Sequence, residues 1–226
     1  MNDQDLQIAR QAATLRLQVE EKIRAAIASG RFKPGQRLVE RELCALINVG
    51  RTSVREALRQ LEAEGLIVTI PHRGPVVSSI SLEEARQLYD LRALLEGFAG
   101  REFAARGSDA DIARLKAAVD RLKIAASSDE PGELIKAKTA FYQVLMEGCG
   151  NAFVQQTLRN LHNRITLLRS TSMTQPGRLP KSMREIRAIY DRIAARAPEG
   201  AEEACIKHIR EAAKIALAVL ERQSNT

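Results

Sequence analysis

One change of hydrophobic period constrains this chain more than any other feature. In "RTSVREALRQLEAEGLIVTIPHRGPVV", which begins at Arg51, the residues Val54, Ala57, Leu58 and Leu61 recur at helical spacing. Arg51, Arg55 and Arg59 lie four apart on another face. From Leu66 the pattern changes to short β-branched runs, "LIVTI" and "PVVSSI", separated by the turn-rich "PHRG". The helix therefore stops at Gly65 and passes directly into a small hairpin over Leu66–Ser79. Upstream, residues 1–13 are polar, and an amphipathic helix is predicted from Leu15 to Ser29 with Leu15, Val19, Ile23 and Ile27 on one stripe. "RFKPGQRL" reads as a turn centred on Pro34-Gly35. A short helix over Val39–Ile47 is expected to bury Leu43 and Leu46, with Cys44 beside them. "NVG" then separates it from the Arg51 helix, with Asn48 suited to the left-handed conformation that ends a helix. Helix, turn, helix, tight turn, helix and two-stranded wing make residues 1–80 a winged helix-turn-helix.

Residues 81–226 show no further strand pattern and predict an all-α bundle of six antiparallel helices, so the fold class is mainly α. "SLEE" is a capping box (Ser81 with Glu84) that starts a long helix through Arg106, and "SDAD" opens the next at Ser108. Further helices are expected at Pro131–Glu147, Asn151–Thr171, Lys181–Ala197 and Ala201–Arg222. "SMTQPGRLP" reads as the most mobile of the connections.

The formal charge of +7 tilts the partner expectation toward nucleic acid, but the excess is spread along the chain, so placement has to locate the binding face. No apolar run approaches the eighteen or so residues of a membrane span, and the N-terminus lacks an apolar signal core, which implies a cytoplasmic protein without a membrane partner. Cys44, Cys149 and Cys205 are far apart and read as buried reduced thiols, with a metal cluster or catalytic thiol as the alternative. No G-x-S-x-G, H-E-x-x-H, P-loop or Cys/His cluster is present, which argues against the alternative of a helical-bundle enzyme.

A helix laid in the major groove reads bases through side chains near its N-terminus, where Arg51, Thr52 and Arg55 stand. Arginine can pair bidentately with guanine, and His72 and Arg73 at the wing tip can meet a groove or a phosphate. "RLVERELCALINVGRTSVREALRQLEAEGLIVTIPHRGPVV" resembles the DNA-binding domain of GntR-family transcription regulators. The resemblance implies DNA contacts by Arg41, Arg51, Thr52, Arg55, His72, Arg73 and Gly74. Two positions depart from the family pattern: Asn48 stands where glycine is common, and Gly50 stands where Ser or Thr usually caps the recognition helix. The remainder is similar to the six-helix, FCD-type effector domain of the FadR subfamily, through "LYDLRALLEGFAGREFAA", "FYQVLMEGCGN" and "EIRAIYDRI…EEACIKHI".

Many members of that subfamily bind a divalent metal through an Asp, a His four residues later and two further His. The aligned positions here are Lys138, Tyr142, Ile186 and His208, so a protonated amine replaces the carboxylate and no metal or other cofactor is expected. His162 has no aligned ligand role, and Arg164 and Arg169 could meet an anionic effector, although a solvated face is the favoured reading for each. The resemblance implies a ligand-responsive regulator, here a repressor released from operator DNA by an organic acid. Lys138 would supply the positive pole, with Arg92, Tyr142 and His208 beside it, while a metal-dependent sensor is the alternative. Arg92 could equally be tied to Glu96 at i,i+4, and Lys138 could turn to solvent. The wide apolar arc of the first bundle helix (Leu82, Leu88, Leu91, Leu94, Leu95, Phe98, Phe103) predicts a homodimer.

Overall fold

A computed structural model describes residues 10–127, 131–173, 175 and 177–224. The chain divides into two compact units between Ser79 and Ile80. In the first unit, α1 (Arg10–Ala28) packs on α3 (Arg51–Ala63), with α2 (Glu40–Ile47) between them in sequence. The start of α1 lies five residues before the predicted one; the polar stretch up to residue 9 lies outside the described residues. Val19, Ile23 and Ile27 are buried, but Leu15 is 40% exposed, so the apolar stripe of α1 begins a turn later than its sequence suggests. Leu43 is buried, whereas Leu46 is 51% exposed and Cys44 half-buried. An eight-residue helix has one core-facing stripe, and Leu46 lies off it.

Val54, Ala57, Leu58 and Leu61 are the buried face of α3. The wing pairs β1 (Ile67–Ile70) with β2 (Gly74–Val77) in antiparallel register, Ile67 opposite Val77 and Ile70 opposite Gly74. The segment read as a simple turn does more than reverse the chain: Gly35 N–H donates to Val77 O at 2.9 Å, and Leu38 N–H donates to Pro75 O at 2.8 Å. It covers the open edge of β2, which would otherwise present unpaired backbone groups.

The second unit contains α4 (Leu82–Arg106), α5 (Asp109–Ala126), α6 (Pro131–Gly148), α7 (Ala152–Met173), α8 (Arg178–Ala194) and α9 (Pro198–Ser224). The predicted capping box of Ser81 with Glu84 forms, and Ser108 forms a second one with Asp111. The last two helices begin three residues before their predicted starts. Pro180 and Pro198 both fall in first turns, where a missing N–H leaves no bond unmade. Phe103, Leu115, Leu122, Phe141, Leu145, Ile186, Ile189 and Ile193 form the central core.

The core face of α4 is unusual in composition. Ala85, Tyr89, Arg92, Glu96, Ala99, Gly100 and Phe103 are buried, while Leu91 (41%), Leu94 (69%) and Phe98 (38%) are exposed. Glycines set this orientation. A methyl group on Gly97 would lie 2.8 Å from Ile206 Cγ1, and one on Gly100 would lie 2.6 Å from Cys205 Sγ. The two glycines let α9 approach α4 closely, and Leu91, Leu94 and Phe98 are turned away.

Candidate nucleic-acid interface and effector site

The turn between α2 and α3 positions the candidate DNA-reading face. Asn48 caps α2 in the left-handed region (φ 58°, ψ 53°), its N–H donating to Cys44 O. Gly50 precedes α3 without a side-chain cap, so the hydroxyl usual at this place in the family is missing. Arg51, Thr52, Arg55 and Arg59 are exposed on the side of α3 opposite its buried stripe. Arg41 is exposed near the start of α2, and among the described residues neither Arg41 nor Arg51 forms an ion pair. Arg55 is different. Its Nε lies 3.2 Å from Glu40 Oε1 and its Nη2 3.0 Å from Glu40 Oε2.

At the wing tip His72 takes φ 61° and Gly74 φ 83°, which closes the three-residue loop and leaves His72 and Arg73 exposed. A left-handed His is uncommon. Arg73 Nη2 donates to Gly35 O at 3.4 Å, linking the tip to the segment along β2. Exposed guanidinium groups beside a helix N-terminus can engage phosphates and guanine edges; this is the chemistry available to the face.

In the second unit, three of the four aligned metal positions lie in a buried polar cluster. Lys138 is 6% exposed and donates to Ser182 Oγ at 3.1 Å, so its side chain is directed inward. Tyr142 Oη lies 2.8 Å from His208 Nε2, and His208 Nδ1 lies 2.6 Å from Glu185 Oε2. Glu185 also accepts from Arg178 Nη1 and Nη2 at 2.9–3.0 Å, a bidentate pair in which Arg178 is 3% exposed. Burial pushes His208 down to about 4 despite the raising effect of its hydrogen bond to Glu185, so the ring is neutral at pH 7. Burial acts to raise the Glu185 carboxyl, but its bonds to His208 and Arg178 outweigh that and hold it below the usual range. A carboxylate only accepts, so Nδ1 carries the proton and Nε2 accepts from the Tyr142 hydroxyl.

This arrangement does not fit a metal. Ile186, at the third ligand position, is fully buried in the apolar core. Both ring nitrogens of His208 are engaged, and Lys138 contributes an ammonium. Among the described residues no group of three His, Cys, Asp or Glu is placed to hold an ion. Arg92 is 1% exposed and paired with Glu96 at 2.7 Å. Burial acts against its charge, but Glu96, Tyr142 and Tyr89 together hold it protonated. Its guanidinium sits over the rings of Tyr89 (5.3 Å) and Tyr142 (5.7 Å). Arg164 is exposed, and the side chains of His162 and Arg169 lie outside the described residues.

Arg178, Ser182, Glu185 and Glu40 were not among the residues singled out by sequence. Arg178 falls in the stretch read as a loop, and Glu185 sits one position before the aligned ligand site. Their seven-residue spacing, two turns on one helix face, is the only signal that could have joined them. No described helix is long and apolar enough to cross a membrane.

A family model described as "FCD domain" matches residues 87–211, more than half of the chain. One described as "Bacterial regulatory proteins, gntR family" matches residues 15–77. The chain is 35% identical over 140 residues to the Nta operon transcriptional regulator of Aminobacter aminovorans, covering 61% of this chain and 65% of that one. It is 25% identical over 194 residues to the HTH-type transcriptional repressor RspR of Escherichia coli strain K12, covering 86% and 85%. Among solved structures, E. coli McbR/YncC matches with a TM-score of 0.78 at 20% identity, covering 93% of this chain and 98% of that one; the likeness concerns the fold.

Proposed function

The chain belongs to the gntR family of bacterial regulatory proteins that carry an FCD domain, a family of DNA-binding transcription regulators and not of enzymes, and from that premise we propose how its residues divide the work. The first unit holds double-stranded operator DNA, with Arg51, Thr52 and Arg55 toward the major groove. Arg41, His72, Arg73 and Gly74 meet backbone or flanking groove. The observation that carries this reading is the separation of faces on α3, one fully buried and the other exposed and cationic, beside an exposed wing tip.

The FCD unit takes a small carboxylate-bearing metabolite at the buried cluster. Lys138 supplies the positive pole, and Tyr142 and His208 supply the neighbouring polar atoms. A charge-assisted hydrogen bond from a buried ammonium is worth roughly twice a neutral one. Arg92, neutralised by Glu96, acts by holding Tyr142 in place. The protein works in the cytoplasm as a repressor, the direction named for its relative RspR. The exposed Leu91, Leu94 and Phe98 of α4 form the contact of a homodimer, which pairs two reading heads on related half-sites.

A thermal-shift screen of small carboxylic acids, followed by operator release in fluorescence anisotropy, tests the effector class. An acid that both stabilises the protein and releases operator DNA supports the assignment. Response only to uncharged ligands contradicts it.

A further inference from the structure

The ion pair that ties Arg55 to α2 has a geometry that bears on base reading. Glu40 is the first residue of α2, fifteen positions before Arg55 and across the tight turn. Its two oxygens engage Nε and Nη2 of Arg55, a side-on fork that fixes the guanidinium plane. The end edge of the group, formed by Nη1 and the second hydrogen of Nη2, stays available. That edge carries two parallel donors, the pattern that guanine O6 and N7 accept.

Two further observations point the same way. Arg55 and Glu40 are 56% and 33% exposed, and a pair this open to water contributes little to folding stability. Glu40 also places one negative charge among Arg51, Arg55 and Arg59, the cations of the exposed face of α3. A carboxylate there repels phosphate and weakens binding wherever no guanine is met. A guanidinium already held in one orientation also gives up less side-chain freedom when it pairs.

We propose that Glu40 is a positioning residue that holds Arg55 end-on to a guanine, and that it sets the specificity of DNA reading more than its strength. The proposal rests on the assignment of Arg55 as a base reader, and its test separates the two. The full-length protein is titrated onto a duplex selected by the wild type from random sequence and onto a scrambled duplex. The readout is the ratio of the two affinities.

Glu40→Gln should lower that ratio about tenfold, the scale of one bidentate base contact, chiefly by tightening the scrambled duplex. Arg55→Ala should lower it as well, and the double variant should lose no more than Arg55→Ala alone. Thermal unfolding of Glu40→Gln should match the wild type, and Glu40→Ala should give the same ratio as Glu40→Gln. If Arg55→Ala lowers the ratio and Glu40→Gln leaves it at the wild-type value, Glu40 has no positioning role and base reading by Arg55 stands. If Arg55→Ala leaves the ratio unchanged, both assignments fall.

Discussion

His208 ties the stability of the helical unit to pH through one buried ring. Burial lowers its folded pKa to about 4 from an ordinary value of 6.5, so folding favours the neutral ring. A depressed histidine contributes stability that is complete above pH 6.5 and is lost as pH falls toward 4. Between pH 7 and pH 5 the loss should be about 2 kcal/mol, from 1.36 kcal/mol per unit of separation. Glu185, also depressed, adds its own loss only below the ordinary carboxylate value of 4.5. Urea titrations at the two pH values should show that loss in the wild type and its absence in His208→Gln. Equal losses in both proteins would place the titrating group elsewhere. Lys138 gives a functional counterpart: Lys138→Met should abolish the thermal shift from the releasing acid while leaving operator affinity unchanged. Of these residues, Lys138, Tyr142, His208 and the Arg92–Glu96 pair were legible in sequence, because family alignment or i,i+4 spacing exposes them. Glu185 and Glu40 were not, since His208 and Arg55 are brought to them by the chain's path, and Arg178 was hidden in a stretch read as a loop.

Helices with local start signals were readable, and those held by distant contacts were less so. Ser81 announces α4 with a capping box that forms as written, and Ser108 opens α5, where the structure adds a box with Asp111. Replacing Ser81 with Ala should cost about 1 kcal/mol. The start of α8 was obscured by a Pro-Gly stretch that resembles a loop, although Pro180 is tolerated in a first turn. The role of residues 35–38 along β2 was hidden as well, because their pairing partners lie some forty positions on. On α4 the wide apolar arc suggested a contact for a second copy, and the face packed within its own bundle is built on Gly97 and Gly100. Two glycines three apart inside a 25-residue helix were the available signal of close helix approach. Gly100→Val should lower unfolding free energy by 1–3 kcal/mol or more, as overpacking does, measured by urea denaturation. An unchanged midpoint would mean that α9 can shift without penalty.

At the scale of the whole molecule, the winged unit and the helical unit each have their own core, and function requires the chain to join DNA reading to ligand binding. The exposed Leu91, Leu94 and Phe98 predict that light scattering gives twice the 25.0 kDa chain mass. Leu94→Glu with Phe98→Glu should shift the protein to the single-chain mass and weaken operator binding, since two linked heads bind more tightly than one. A single-chain mass for the wild type, with and without DNA, would remove the dimer from the account. The most direct measurement for the central claim is fluorescence anisotropy of the full-length protein on a selected operator duplex at two salt concentrations. Wild-type affinity should fall steeply with salt as phosphate contacts release counterions. Arg51→Ala and Arg55→Ala should each lose roughly 1–3 kcal/mol of specific binding. Full affinity and unchanged sequence preference in both variants would contradict the assignment of the exposed face of α3 to DNA.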